Sequence, residues 1–93
     1  MPRPRNPRRV RFTPGVVYFK PRGIPLRQLE EVVLLPEELE ALRLYEVAGL
    51  DQTRAGEKMV VSQPTFARML SQARKKIAHA LITGKAIKII TKN

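Results

Sequence analysis

Between Ser62 and Gly84, apolar residues recur at positions 66, 69, 70, 73, 77, 80 and 81, in steps that keep returning to three and four. That period keeps one face of an α-helix apolar along its whole length. Ser62 is an N-cap residue and Gly84 a stop signal. The pattern therefore predicts one helix of about 21 residues, roughly 30 Å long. In a chain of 93 residues, such a helix is the spine on which the rest must pack. A chain this short buries only about 60–65% of its unfolded surface, so its core is small.

The residues just before the spine sharpen the expectation. Asp51 is placed to cap a second helix over about 52–59. Ala55-Gly56 supplies small residues where two helices could cross, and Met59 and Val61 could close the corner. Phe66 and Met69 would then anchor the long helix. Two helices joined by a tight turn, the second opening at Ser62, is the arrangement of a helix-turn-helix. An earlier helix starts near Pro36, since proline suits a first helical turn and Glu37, Glu38 and Glu40 suit the positive end of the dipole. Leu35, Leu39 and Leu42 are its expected inward stripe, and Gly49 its end.

Upstream, residues 1–9 (MPRPRNPRR) hold three prolines and four arginines and read as an extended arm. Val10–Phe12 and Val16–Phe19 flank Thr13-Pro14-Gly15, so residues 10–20 read as a β-hairpin. Leu26–Val33 is ambiguous between a short helix near Leu26–Glu31 and an extended piece at Val32–Leu34. Residues 85–91 read as a final strand that joins the N-terminal one, within the chain or across a dimer. The expected fold class is mainly α: a three-helix helix-turn-helix core over 36–83 with a long C-terminal recognition helix, plus a small β element. All of it fits one domain, 1–93.

Charge points to the partner. The net charge is +10. Residues 1–27 carry seven arginines, one lysine and no acid, whereas residues 28–51 carry seven acids and one arginine. Residues 52–93 carry nine basic residues and one acid. Two basic blocks around an acidic one suit a polyanion-binding surface with a separate acidic face.

With Phe66 at the centre of the buried face, Pro64, Arg68, Ser71 and Lys75 point outward at about 100° per residue. Arg68 has the fork geometry to hold O6 and N7 of a guanine, and Gln63 and Gln72 could pair with adenine. Gln63, Arg68, Ser71 and Gln72 are the candidate base-reading residues. Ser62, Thr65, Arg74, Lys75 and Lys76 are candidate phosphate contacts, and Arg3, Arg5, Arg8 and Arg9 could follow a minor groove or the backbone.

Other chemistry lacks the residues it needs. There is no cysteine, and His79 is the one histidine, so no metal site or cofactor is expected. No nucleophile–base constellation suggests an enzyme. The longest uninterrupted aliphatic run, Val32–Leu35, is far too short for a membrane span, and no apolar run follows the N-terminal arginines as a secretory signal requires. A cytoplasmic location is the expectation.

Three stretches carry a resemblance: MPRPRNPRRVRF at the start, YFKPRGIPL at 18–26, and EELEALRLYEVAGLDQTRAGEKMVVSQPTFARMLSQARKKIAHALITGKAIKI at 37–89. Together they resemble domain-of-unknown-function family 134, small prokaryotic proteins described only as predicted DNA-binding proteins. Residues 51–76 also resemble the promoter-reading fourth region of bacterial sigma factors. The resemblance implies DNA binding by residues 62–76. Three positions depart from the family pattern. Pro7 stands where members often have a cysteine. Val60 stands where the turn usually has glycine, so a different turn geometry is expected. Pro64 is unusual but tolerable in a first helical turn.

The leading expectation is sequence-specific binding of double-stranded DNA by a transcriptional regulator, as a homodimer. The alternatives are a structured-RNA or ribosome-associated protein, and an adaptor that holds RNA polymerase through the acidic face.

Overall fold

The computed structural model describes residues 15–91. The element order is β1 (Val16–Phe19), a 3-10 turn (Leu26–Gln28), β2 (Glu31–Leu34), α1 (Pro36–Leu42), a π-wound turn (Arg43–Val47), α2 (Gln52–Met59), α3 (Gln63–Thr83) and β3 (Ala86–Ile90). The expected mainly α fold with a small β element is therefore found. The arm at 1–9 and the first hairpin strand, Val10–Phe12, lie outside the described residues.

The spine forms as its period dictates. Ser62 Oγ accepts from the Thr65 backbone N–H at 3.3 Å, and Gly84 ends the helix in the left-handed region at φ 72°. Phe66, Leu70, Ala73 and Ala80 are fully buried along one stripe. The apolar face is shorter than its pattern. Leu81, expected on that face, is 72% exposed.

The spine joins two apolar clusters. Phe66 and Leu70 pack with Ala41, Leu44 and Ala55, bordered by Leu50, Met59, Val61 and Met69. Further along, Ala73 and Ala80 pack with Leu34 and Ile87, bordered by Val32, Leu39, Ile77 and Ile89. The second cluster is the inner face of a three-stranded sheet of order β1-β3-β2. Central β3 runs antiparallel to β1, with Val17 opposite Ile89, and parallel to β2, with Val32 opposite Ile87. The joining of the C-terminal and N-terminal strands thus occurs within the chain. The ambiguous segment holds both of its readings in turn, a 3-10 turn and then strand β2. A parallel strand needs a long crossover, and α1 to α3 supply it.

In α1 the expected inward stripe is found in part, since Leu39 and Leu42 pack against the core. Leu35 is 37% exposed, while Glu38, Ala41 and Leu44 are buried. Leu35 precedes the helix, and the Glu38 carboxylate reaches back to accept from the Leu35 N–H at 2.9 Å. That bond turns Glu38 inward. The end of the helix is π-wound, with Ala48 N–H donating to Arg43 O at 2.9 Å and Leu50 N–H to Leu44 O at 3.1 Å.

Candidate nucleic-acid interface

The interface starts at the corner between α2 and α3. Asp51 Oδ1 caps α2 by accepting from the Arg54 N–H at 2.8 Å. At the crossing, a Cβ on Gly56 would sit 3.0 Å from the Val61 carbonyl oxygen and 3.5 Å from Phe66 Cβ. A hydrogen is what that approach permits. The turn itself corrects the expectation of an altered geometry. Val60 adopts the left-handed conformation, φ 59° and ψ 45°, despite its β-branch. Its N–H donates to Glu57 O at 3.1 Å, and the Val61 N–H donates to Gly56 O at 2.9 Å. These bonds satisfy the last carbonyls of α2, and the crossing at Gly56 fixes the direction in which the chain must leave.

The corner leaves the outer face of the first turns of α3 clear of the core, with Phe66 and Leu70 buried on the inner face. Gln63, Arg68, Ser71 and Gln72 are exposed together with Pro64, and Thr65 is half-buried beneath them. Ser62 Oγ donates to Thr65 Oγ1 at 2.9 Å, so both hydroxyls are already engaged in the cap. Arg68, Gln72, Thr65 and Met69 line a shallow groove of about 270 Å³ whose opposite wall is Glu37 and Glu38 of α1. Sequence reasoning did not place Glu37 there, since nothing local says which helix flanks this face of α3.

The basic cluster at 74–76 divides. Lys75 is exposed. The Arg74 guanidinium bonds the Glu46 carboxylate and lies 5.3 Å from the centroid of the Tyr45 ring. The Glu46 hydrogen bond raises the Arg74 pKa further above its ordinary value. Lys76 Nζ turns inward, donating to the Glu38 carboxylate at 2.8 Å and to Val33 O at 2.9 Å. Arg74 and Lys76, expected on phosphates, both have partners within the chain, because Glu46 of the π-wound turn and Glu38 of α1 lie across from them. Lys75 points the other way. A separate exposed pair, Arg43 with Glu40 at 2.7 Å, lowers the Glu40 pKa through its hydrogen bond and charge.

One polar contact escaped the sequence altogether. Gln63 Nε2 donates to Gln52 Oε1 at 2.6 Å, linking the first residues of α3 and α2. A spacing of eleven residues across a turn gives no local rule that would have paired them. The expected contacts Arg3, Arg5, Arg8 and Arg9 lie outside the described residues. No helix among the described residues is long and apolar enough to cross a membrane.

The model of the family described as "Protein of unknown function DUF134" matches residues 1–93. A UPF0251 protein of Moorella thermoacetica is 58% identical over 89 residues, which is 96% of this chain and 60% of that protein. A UPF0251 protein of Caldanaerobacter subterraneus is 56% identical over 89 residues, again 96% of this chain and 75% of its own length. One of Desulforudis audaxviator is 55% identical, and the chain spans 58% of it. No solved structure matches the chain.

Proposed function

We propose that this chain, which belongs to the DUF134 family of proteins of unknown function, binds double-stranded DNA through a helix-turn-helix formed by α2 and α3. The observation that carries this reading is the exposed row Gln63, Arg68, Ser71 and Gln72 on the first turns of α3, backed by the buried Phe66 and Leu70. A rigid helix end with hydrogen-bonding side chains outward suits a major groove about 12 Å wide. Arg68 reads guanine, and Gln63 and Gln72 read adenine. Lys75 meets a phosphate. The arm arginines Arg3, Arg5, Arg8 and Arg9 add sequence-independent contacts. The resulting protein is a transcriptional regulator that acts without a cofactor.

A net charge of +10 supports a polyanion partner but does not choose among polyanions. Groove geometry favours duplex DNA. The major groove of A-form RNA is too deep and narrow for a helix to read, and that of B-DNA admits one. A competition assay at matched salt tests the choice. Labelled duplex DNA should be displaced by unlabelled duplex at far lower concentration than by structured RNA. Preferential displacement by RNA would overturn the DNA reading in favour of a structured-RNA binder.

A further inference from the structure

We propose that Gln52 is a positioning residue that orients the Gln63 carboxamide for reading an adenine. The proposal rests on the DNA-binding reading above and adds a residue and a mechanism to it.

The geometry begins with the two caps. Asp51 and Ser62 fix the starts of α2 and α3, so the first residue of each helix is held by its backbone. Those first residues are Gln52 and Gln63, and the Gln63 Nε2–Gln52 Oε1 distance is 2.6 Å. Gln63 is exposed and Gln52 half-buried, so the pair sits at the edge of the exposed row.

A glutamine amide has one acceptor oxygen and two N–H donors. Bidentate recognition of adenine uses the oxygen, accepting from the N6 amine, and one N–H, donating to N7. The second N–H is left over, and here it goes to Gln52. If the Gln63 amide flips by 180°, its nitrogen faces the N6 amine and its oxygen faces N7. Donor then meets donor, and acceptor meets acceptor. The same flip turns the Gln63 oxygen against Gln52 Oε1. While its own oxygen faces Gln63, Gln52 therefore penalises the orientation that rejects adenine. A phosphate that accepts from the Gln52 amide N–H groups would hold its oxygen toward Gln63.

The chemistry separates two substitutions. Gln52→Leu removes the acceptor. Gln52→Glu keeps an acceptor and cannot donate, so it holds the Gln63 orientation while setting a negative charge against the phosphates.

The experiment selects bound sequences from random duplex DNA with the full chain. Relative affinities are then measured for each base at each selected position. The wild type should prefer adenine at one position by about tenfold or more, the range of a good bidentate contact. Gln63→Ala should abolish that preference. Gln52→Leu should weaken it at the same position alone, and the double variant should lose no more than Gln63→Ala. Gln52→Glu should keep the preference while binding every duplex more weakly. Circular dichroism checks that each variant folds, and Gln52→Ala replaces Gln52→Leu if the latter does not.

Two failures are distinct. A wild type that selects no sequence overturns the base-reading function and this proposal with it. A wild type that selects a clear motif, with the adenine preference intact in Gln52→Leu or Gln63→Ala, overturns the pair alone.

Discussion

Val60 carries a left-handed backbone that a β-branched residue adopts at a cost of about 1–2 kcal/mol. The side chain repays little of this, since it is 89% exposed. Glycine has no such penalty but gains freedom in the unfolded chain, worth roughly 0.5–1 kcal/mol against it. Val60→Gly should therefore stabilise the protein by about 0.5–1 kcal/mol, raising the melting temperature by a few degrees. A lower melting temperature would show that the turn is not strained. Lys76 and Arg74 make the opposite comparison. Lys76 holds the Glu38 carboxylate, whose side chain is 8% exposed, while Arg74 and Glu46 are each about half exposed. Lys76→Ala strands a buried charge and should cost about 1–3 kcal/mol. Arg74→Ala should cost about 1 kcal/mol or less, because exposed pairs and cation–π contacts are weak. Thermal denaturation of the two variants side by side checks the ranking, and equal losses would contradict it.

At the scale of elements, α3 does two tasks with one sequence period. Its C-terminal half lies on the sheet, and its N-terminal half rises from the α1–α2 cluster with its outer face open. Of its three consecutive cations, Lys75 alone points outward without an ion pair among the described residues. Lys75→Ala should reduce the slope of log affinity against log salt by about one, and Lys76→Ala should leave it unchanged. A reduced slope in Lys76→Ala would mean that Lys76 leaves Glu38 to meet the DNA. The contrast also marks where sequence stops being informative. The caps Asp51, Ser62 and Gly84 and the stripe from Phe66 to Ala80 were legible, because each depends on neighbours within about a turn. The inward turn of Glu38 and Lys76 was not, since an acid and a base 38 residues apart read as surface charges until the fold brings them together. The first position of the α1 stripe was misplaced for a related reason, while Leu39 and Leu42 do face the core. Leu35 looked like the first inward position, but the bond from its N–H to Glu38 makes it the residue before the helix. For the site, the outward angle of Arg68 was readable from helical period alone. The groove wall at Glu37 and the Gln52–Gln63 bond were not, because both depend on how separate helices pack.

The whole molecule leaves apolar surface at one end. Phe19, Leu81 and Ile82 are 62%, 72% and 83% exposed, and Phe19 and Leu81 line one groove with Pro21, Ala80 and Ile87. This end is remote along α3 from the proposed reading residues, so two copies could meet there with both N-terminal faces of α3 open. We expect a homodimer, which would let two recognition helices read half-sites about one helical turn apart. Light scattering at micromolar concentration should give twice the chain mass, and Leu81→Asp should reduce it to the monomer. A wild type that stays monomeric with and without duplex would rule the dimer out. The central claim, that the N-terminal face of α3 reads bases in duplex DNA, rests most directly on Arg68. Its test is the affinity of Arg68→Ala for a selected duplex and for a random one, at the same salt. Base reading predicts a loss of about 1–3 kcal/mol on the selected duplex and a much smaller loss on the random one. Equal losses on both duplexes, or none on either, would contradict it.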